Sequence, residues 1–299
     1  MRVGFIGLGV MGFPMAGHLA DAGFDVGVYN RTAVRAERWL AEHAGRRADT
    51  PRQAALGAEV VCCCVGNDDD VRSVLYGESG ALAGMERGAV LIDHTTASAT
   101  LARELAAACK ERDIGFVDAP VSGGEAGAVN GQLTVMAGGS EKDFARVEHV
   151  FACYAKAARL LGSSGSGQLA KMVNQVCIAG VLQGLAEGLH LARRVGLDAE
   201  AVVDVIANGA AQSWQMDNRS STMLEGRFDF GFAVDWMRKD LGIALDEARQ
   251  CGARLPLTAL VDQFYGDVQA AGGGRMDTSS LITRLEATLI NPVSDDPSV

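Results

Sequence analysis

Three polar side chains lie close together in the sequence GQLAKMVNQ, residues 167–175. Lys171, Asn174 and Gln175 are spaced by three and four positions, so an α-helix would place them on one face. The residues that follow on that face are apolar: Ile178, Ala179 and Leu182. A solvated helix face usually stays polar for several turns, so this patch indicates a lined pocket. From the helix alone, a lysine that extends to water is the simpler interpretation.

A glycine-rich sequence near the N-terminus, GLGVMG, follows a strand-like segment and opens a helical pattern. A dinucleotide-binding fingerprint requires that position. Gly7 would make the tight turn, Gly9 would let the backbone approach a pyrophosphate, and Gly12 would let the helix pack on the strand. The helix amides would then face the phosphates, although a plain tight turn has a similar composition. The predicted cofactor contacts are Gly7, Leu8, Gly9, Val10, Met11 and Gly12.

The end of the second predicted strand, residues 29–32, bears on which dinucleotide is bound. NAD-binding proteins usually have an Asp or Glu there, which holds the ribose 2′-hydroxyl. This stretch has no acid to repel a phosphate, and Arg31 can form a charge-assisted pair with a 2′-phosphate. Asn30 and Thr32 can add hydrogen bonds. The sequence therefore predicts a preference for NADPH, with NADH possible; alternatively, Thr32 only caps the next helix and Arg31 is solvated.

A second glycine-containing loop, DAPVSGG, begins at Asp118 and follows a strand that should end beside the cofactor crevice. Ser122 offers a hydroxyl, and Gly123 and Gly124 leave backbone N–H groups uncovered. This combination can hold a carboxylate or another anion, although a turn alone is compatible with it.

Other polar residues are assigned structural roles. Asp93 and Asp118 stand at strand ends and are interpreted as loop-fixing residues. His94 is interpreted as a polar loop residue without a catalytic role. The acidic run at residues 68–70 is predicted to start a helix, where carboxylates favour the positive end.

Strand and helix patterns alternate in the first half of the chain. The predicted strands are Arg2–Ile6, Asp25–Tyr29, Glu59–Val65, Val90–Asp93, Gly115–Asp118 and Leu133–Ala137. Alternation of this kind indicates βαβ units and a mainly parallel sheet. After about Leu161 the predicted elements are all helical: Gln168–Val195, Ala199–Ala207, Ala233–Cys251, Pro256–Ala271 and Ser280–Leu289. The prediction is an α/β fold, with a doubly wound sheet followed by an all-α C-terminal domain.

The glycine- and serine-rich sequence GSSGSG, residues 162–167, is typical of a flexible joint. We therefore predict a dinucleotide-binding domain at residues 1–162. A helical domain for substrate binding and oligomerisation would follow at 163–290, and residues 291–299 would form a frayed tail.

The net charge of −10 over 299 residues argues against nucleic acid and against an anionic membrane surface as partners. No continuous apolar run reaches transmembrane length, and the first residues do not resemble a signal peptide. The seven cysteines include three adjacent ones at 62–64, which are typical of a buried strand and fit a reducing cytoplasm. No histidine is paired with Cys or Asp at ligand spacing, so no metal site is expected.

Five motifs in this order and at these separations resemble the β-hydroxyacid dehydrogenase family: GFIGLGVMGFPMAGHL, DHTT, DAPVSGGEAGAVNGQLTVMAGG, GSGQLAKMVNQ and Lys239-Asp240-Leu241. The family includes 3-hydroxyisobutyrate dehydrogenase, tartronate semialdehyde reductase and NADPH-dependent glyoxylate/succinic semialdehyde reductases. The resemblance spans about residues 2–290 and implies a Rossmann-type first domain. The later motifs are far more specific than the glycine loop.

The resemblance implies catalytic roles in the helical half. Lys171 matches the family's catalytic lysine, and Asn174 matches the amide that follows it. Gln175 stands where many members have a second Asn and is assigned to substrate binding. Lys239 matches the lysine that closes over the cofactor.

It also implies roles in the first half. The loop that holds the substrate carboxylate matches Ser122, Gly123 and Gly124. Thr96 matches a threonine at the nicotinamide end of the crevice, where it contacts substrate and cofactor. Val65 and Gly66 stand where the chain passes the cofactor and many members have Leu-Pro; this departure affects the shape of that loop.

Together these residues imply reversible hydride transfer between nicotinamide and a small carboxylate-bearing aldehyde or β-hydroxyacid. Lys171 would donate the proton in reduction and accept it in oxidation, and burial near a cationic cofactor ring would lower its pKa from about 10.4. The resemblance also implies a homodimer or homotetramer.

Three other readings stay open. An imine reductase shares the glycine loop and the NADPH signal but generally lacks the lysine and the DAPVSGG loop. A non-catalytic dinucleotide sensor need not keep Lys171, Asn174 and Thr96 in register. A 6-phosphogluconate dehydrogenase is similar in fold but has a much longer chain.

Overall fold

The structure is a computed structural model that describes residues 1–286. The chain divides into two compact units, with residues 1–172 in the first and the chain from Val173 onward in the second. The predicted boundary after residue 162 stays a prediction. The predicted tail, residues 291–299, lies outside the described residues.

Strands of the first unit form a doubly wound α/β sheet, as predicted. The strands are β1 Arg2–Ile6, β2 Asp25–Tyr29, β3 Arg46–Arg47, β4 Val60–Cys63, β5 Val90–Asp93, β6 Gly115–Asp118, β7 Val121–Ser122, β8 Leu133–Gly139 and β9 Ala155–Leu160. Their order is β3-β2-β1-β4-β5-β6-β8-β7, and β9 pairs with β8. Neighbours from β3 to β6 are parallel, whereas β8 runs antiparallel to β6 and β7. The strand order reverses direction between β1 and β4, which defines the ligand crevice of such sheets.

The helices of the first unit cover the sheet. They are α1 Gly12–Asp21, α2 Ala33–Glu42, α3 Pro51–Ala55, α4 Asp68–Leu75, α5 Ala99–Lys110, α6 Gly124–Val129 and α7 Glu141–Phe151. The predicted helix start at residues 68–70 is confirmed, because Asn67 caps α4 by accepting a hydrogen bond from the Asp70 N–H at 2.8 Å.

Apolar clusters lie on the two faces of the sheet. Cys62 belongs to one cluster and Cys63 to the other, because successive strand residues point to opposite faces. Burial raises the pKa of the Cys63 thiol well above its ordinary value. No disulfide joins any of the seven cysteines, all of which the structure describes. The prediction that residues 62–64 belong to a buried strand is confirmed for Cys62 and Cys63.

Helix α8, Ser166–Arg194, begins in the first unit and continues into the second. The second unit also contains α9 Ala199–Ile206, α10 Trp214–Leu224, α11 Val234–Cys251, α12 Pro256–Ala270 and α13 Leu281–Glu286. Residues 161–286 contain no strand, as predicted, apart from one isolated bridge. The unit's buried core includes Leu182, Met237 and Tyr265. The predicted end of the last helix, Leu289, lies outside the described residues.

By length and composition alone, α8 is apolar enough to cross a membrane. The sequence prediction missed this because Gln and Asn interrupt any continuous apolar run while the mean hydropathy stays high. The core helix of a soluble protein passes the same test, and 44% of the apolar window is buried inside the structure.

Candidate active site

The glycine loop between β1 and α1 has the geometry of a phosphate cradle. Gly7 has φ +98°, and a Cβ there would lie 2.1 Å from the carbonyl oxygen of Cys64. A Cβ on Gly12 would lie 2.0 Å from the carbonyl oxygen of Gly7. Among residues 1–286, no atom beyond the chain neighbours would lie within 4 Å of a Cβ on Gly9. The loop therefore has open space where a dinucleotide-binding turn receives the pyrophosphate.

Asn30 shapes this loop from the end of β2. Its Oδ1 accepts a hydrogen bond from the Leu8 N–H at 2.9 Å, and its Nδ2 donates to the Thr32 carbonyl at 3.0 Å. Thr32 occupies the N-cap position of α2, but its side chain accepts no capping hydrogen bond from that helix. The Leu8 amide is thus used within the protein, and Asn30 acts on the loop directly.

Arg31 has an acidic neighbour that its own sequence stretch does not reveal. Its Nη1 lies 3.0 Å from Asp70 Oδ1, in the first turn of α4. The stretch at residues 29–32 itself contains no acid, but α4 brings a carboxylate to Arg31 across 39 residues of sequence. The Arg31 side chain is 82% exposed, so this ion pair is largely solvated.

The carboxyl ends of β1, β4, β5 and β6 meet at one edge of the sheet. Ile6 is paired with Cys63, Cys63 with Asp93, and Asp93 with Asp118. The segments that follow these strand ends contain the predicted site residues Gly7, Val65, Gly66, Thr96 and, in β7, Ser122. The fold therefore brings all of these segments to the edge where ligands bind in doubly wound sheets.

Asp93 and Thr95 fix the loop after β5. Asp93 Oδ1 accepts a hydrogen bond from the Thr95 N–H at 3.0 Å, and Thr95 Oγ1 accepts one from the Val65 N–H at 3.1 Å. Burial raises the pKa of the Asp93 carboxyl to about 7, although hydrogen bonds from Thr95 oppose the rise. These contacts confirm the loop-fixing role predicted for Asp93.

His94 is enclosed in the protein and serves structure. Its Nδ1 lies 2.7 Å from the Ala119 carbonyl oxygen, and its Nε2 lies 2.9 Å from the Tyr154 hydroxyl. A carbonyl can only accept, so Nδ1 carries the proton and Nε2 accepts from the tyrosine. Burial lowers the pKa of His94 to about 4. The ring is therefore neutral at pH 7, which agrees with the non-catalytic role predicted for it.

Asp118 holds the start of α8. Its Oδ1 accepts a hydrogen bond from the Gly165 N–H at 2.8 Å, and its Oδ2 accepts one from the Gln168 N–H at 3.0 Å. Burial raises the pKa of this carboxyl, and the backbone hydrogen bonds oppose that rise. The loop-fixing role predicted for Asp118 is confirmed, and the carboxylate also favours the positive end of the helix.

The DAPVSGG loop turns sharply after β7. Gly123 and Gly124 have φ values of +129° and +62°, which favour glycine over other residues. A Cβ on Gly123 would lie 3.2 Å from the Leu133 side chain. Ser122 is half-buried and paired with Thr134 of β8. The loop therefore keeps a backbone conformation that can expose N–H groups to an anion.

Lys171 lies in the second turn of α8 and is only 8% exposed. The interpretation of a lysine that extends to water is therefore wrong.

The second unit contains a polar network around Gln175. Asn174 Nδ2 donates to Gln175 Oε1 at 2.8 Å, and Gln175 Nε2 donates to Asp240 Oδ2 at 2.6 Å. Lys239 Nζ lies 3.1 Å from Asp240 Oδ1, and the Asp240 carboxylate is 1% exposed. The structure thus brings three predicted site residues together in this unit: Asn174, Gln175 and Lys239. Sequence reasoning missed Asp240, although its position directly after Lys239 was a signal.

Among residues 1–286 no group of three His, Cys, Asp or Glu side chains could hold a metal ion.

Residues 2–165 match a family model described as the NAD-binding domain of 6-phosphogluconate dehydrogenase. Residues 165–285 match a second one, described as NAD-binding of NADP-dependent 3-hydroxyisobutyrate dehydrogenase.

Curated relatives match over nearly the full chain. An uncharacterized oxidoreductase of Shewanella frigidimarina is 62% identical over 95% of this chain and 98% of its own. The probable 3-hydroxyisobutyrate dehydrogenase-like 1, mitochondrial, of Arabidopsis thaliana is 42% identical over 95% of this chain and 85% of its own. The 2-hydroxy-3-oxopropionate reductase of Escherichia coli is 34% identical over 96% of this chain and 97% of its own.

Solved structures agree with the fold. A 3-hydroxyisobutyrate dehydrogenase from Salmonella typhimurium is 32% identical with a TM-score of 0.85, over 95% of this chain and 99% of its own. A protein in complex with NADP+ and 2-OPP is 25% identical with a TM-score of 0.87, over 95% of this chain and 99% of its own. A reductive aminase from Aspergillus terreus is 22% identical with a TM-score of 0.61 over 95% of this chain and 99% of its own, and this likeness concerns the fold alone.

Proposed function

The chain belongs to the β-hydroxyacid dehydrogenase family and is an NAD(P)-dependent oxidoreductase that acts on CH–OH groups, and on that basis we propose a specific reaction. The enzyme transfers a hydride between nicotinamide and a small carboxylate-bearing aldehyde or β-hydroxyacid. Lys171 is its general acid and base.

The observation that carries this proposal is the place of Lys171. Its side chain is buried, and α8 starts on the Asp118 carboxylate at the carboxyl edge of the sheet. Ligands bind at that edge in doubly wound folds. An amine that can give and take a proton there supports acid–base chemistry on a bound substrate.

Different residues of the chain have different roles in the proposed reaction. When bound, the nicotinamide cofactor would supply or accept the hydride. During reduction, Lys171 Nζ stabilises the negative charge that develops on the carbonyl oxygen and donates a proton to that oxygen. During oxidation, neutral Nζ accepts the hydroxyl proton. The Ser122 hydroxyl and the Gly123 N–H hold the substrate carboxylate, and Asn174 orients the substrate hydroxyl.

The test is NADPH oxidation, followed by absorbance, against a panel of small semialdehydes and ketoacids. We expect Lys171→Ala to lower kcat by about 10²–10⁴-fold, the usual worth of general acid–base catalysis, while the Kd for NADPH is kept. Lys110→Ala, at the end of α5, is the control and should behave as the wild type.

Two results would count against the assignment. Loss of NADPH binding in Lys171→Ala would indicate a structural role for this lysine. Wild-type protein that binds NADPH tightly but turns over no carbonyl compound would favour an imine substrate or a dinucleotide sensor.

We also propose that NADPH is preferred over NADH. Arg31 at the end of β2 supports this, and so do the NADP-dependent family description and the related NADP+ complex. The exposed pair with Asp70 does not prevent phosphate binding, because such pairs are worth only about 0–1 kcal/mol. A dianionic phosphate offers Arg31 stronger, charge-assisted hydrogen bonds.

Arg31 and Asp70 should change cofactor preference in opposite directions. Arg31→Gln should lower kcat/KM for NADPH by roughly 10- to 100-fold, the worth of hydrogen bonds to a charged group, and leave NADH nearly unchanged. Asp70→Asn should raise kcat/KM for NADPH by up to about fivefold, because the competing carboxylate is gone. Equal losses for both cofactors in Arg31→Gln would contradict the proposed role.

Self-association through the helical unit and a cytoplasmic location complete the proposal. Several apolar side chains on α8 and around its end are exposed: Val173, Val181, Leu191, Val195 and Leu197. Burying such residues between copies is favourable. Sedimentation of the purified protein should show a dimer or tetramer, and a stable monomer at micromolar concentration would contradict this part.

A further inference from the structure

A buried side-chain amide spans the loop that contains Thr96. Gln168 is 1% exposed. Its Oε1 accepts a hydrogen bond from the Ala97 N–H at 3.0 Å, and its Nε2 donates to the Thr95 carbonyl at 2.7 Å. These are the backbone groups on either side of Thr96. A residue in a neighbouring parallel strand would pair with the same two groups, so the Gln168 amide replaces one rung of a sheet.

The backbone of Gln168 is fixed at the same time. Its N–H donates to Asp118 Oδ2, while the other carboxylate oxygen of Asp118 accepts from Gly165. Asp118 directly precedes the loop that contains Ser122. One residue, Gln168, is therefore bonded through its side chain to the Thr96 loop and through its backbone to the start of the Ser122 loop.

The contact between α8 and the sheet leaves no room for adjustment. A Cβ on Gly167 would lie 2.5 Å from the Met136 carbonyl oxygen and 2.6 Å from that of Asp118. A Cβ on Gly138 would lie 2.7 Å from the Gly167 nitrogen. Because backbone meets backbone here, the first turn of α8 has one position relative to β6 and β8.

We propose that Gln168 is a positioning residue, which sets the place of Thr96 relative to Lys171. Lys171 follows Gln168 by three residues and lies next to it on the same side of α8. The inference rests on the proposed function, since Thr96, Ser122 and Lys171 meet the cofactor and substrate there. No role in substrate or cofactor contact is assigned to Gln168 itself.

Gln168→Met tests this role, because Met keeps the length of the side chain and removes both hydrogen bonds. The Thr96 loop then loses its register with α8. We expect kcat per NADPH-binding site to fall by about tenfold or more, because a misplacement of about 1 Å can cost about 100-fold. The Kd for NADPH should change by less than about threefold, because the glycine loop is built by contacts of Gly7, Asn30 and Gly12.

Counting NADPH-binding sites distinguishes an effect of Gln168→Met on catalysis from an effect on the stability of the fold. A residue that only stabilised the fold would lower the amount of binding-competent protein but not kcat per site. Gln183→Met is the matched control: Gln183 is a buried amide on the same helix, and its Nε2 donates to Glu187. It lies 15 positions further on, about 22 Å along the helix. The control should keep kcat per site.

Hydrogen exchange tests the contact without relying on activity. The amide of residue 97 should exchange at least about tenfold faster in Gln168→Met than in the wild type, and at the wild-type rate in Gln183→Met. If the wild type shows no turnover, the proposed reaction fails, and this exchange measurement still decides whether Gln168 holds the loop.

Unchanged kcat per site in Gln168→Met, or unchanged exchange at residue 97, would overturn the proposal. If Gln168→Met does not accumulate as folded protein, Gln168→Glu replaces it. That side chain keeps the acceptor for the Ala97 N–H but turns a carboxyl oxygen toward the Thr95 carbonyl. We then expect protected exchange at residue 97 with reduced kcat per site, and wild-type kcat per site would reject the role.

Discussion

His94 and Asp93 are adjacent buried residues whose titrations change stability in opposite directions. The folded-state pKa of His94, about 4, lies below its ordinary value of 6.5. The unfolded chain therefore binds the proton first, and stability is lost as the pH falls from about 6.5 to about 4. The folded-state pKa of Asp93, about 7, lies above its ordinary value of 3.8. Its contribution is present below about pH 4 and is lost as the pH rises to about 7.

Two variants should separate these contributions. Asp93→Asn should make the loss of stability below pH 6.5 steeper than in the wild type, because only the histidine proton remains. His94→Gln should make the loss of stability below pH 6.5 smaller than in the wild type, or turn it into a gain. The slope from one proton is at most about 1.4 kcal/mol per pH unit. Urea denaturation at pH 6.5, 5.5 and 4.5 measures it, and slopes equal to the wild type in both variants would refute the assignment.

Among single residues, the sequence could suggest as candidates those that belong to a short local motif. The asparagine and arginine after β2, and the lysine of α8, stand in short recognisable patterns. Asp70 and Gln168 could not be identified in this way, because the partners of their side chains lie 39 and at least 71 residues away in sequence. Only the folded chain shows that Asp70 reaches Arg31 or that Gln168 spans Thr96.

At the scale of the elements, the glycines of the loop between β1 and α1 differ in whether the fold requires them. Gly7 and Gly12 are required by the fold, since a Cβ at either position would overlap backbone atoms. A Cβ on Gly9 would meet no atom of residues 1–286 within 4 Å beyond its chain neighbours, so the fold does not require glycine at this position.

Gly9→Ala should therefore fold normally and bind the dinucleotide poorly. The added methyl group meets no protein atom within 4 Å beyond its chain neighbours in residues 1–286, so the Tm should stay within about 2 °C of the wild type. The same methyl group enters the space through which a pyrophosphate approaches the backbone, so the Kd for NADPH should rise at least about tenfold. Thermal unfolding and fluorescence titration measure the two quantities. An unchanged Kd for NADPH in Gly9→Ala would contradict the prediction that the pyrophosphate binds at Gly9.

Elements with a clear apolar pattern were predictable, and elements without one were not. The central strands β4 and β5 are buried at every residue, which gives continuous apolar sequence. Strand β9, AKAARL, is half-exposed at the edge of the sheet, and its composition suits a helix equally well. Helix α10, WQMDNRSSTML, was missed because polar residues occupy most of its positions.

Over the whole molecule, the net charge bears on which partners we expect for the protein. The net charge of −10 repels the phosphate backbone of nucleic acids. In the proposed function, local cations such as Arg31 would bind a small anionic cofactor without changing this net charge.

We therefore expect no binding to duplex DNA at physiological salt. Fluorescence anisotropy of a labelled 20-base-pair duplex should stay constant up to about 10 μM protein, because non-specific binding needs several phosphate contacts from Lys and Arg. A salt-sensitive rise in anisotropy would show a basic surface that the net charge conceals.

The distribution of the cysteines makes chemical labelling selective. Cys177 and Cys251 are exposed and both belong to the helical unit, whereas Cys62, Cys63 and Cys109 are buried in the first unit. A maleimide dye should therefore attach to the helical unit first, at Cys251 of α11, which lies outside the helix proposed for self-association, and no substitution in the sequence is needed. The buried thiols become reactive only when the first unit opens, so the number of dye molecules bound per chain reports on the unfolding of that unit.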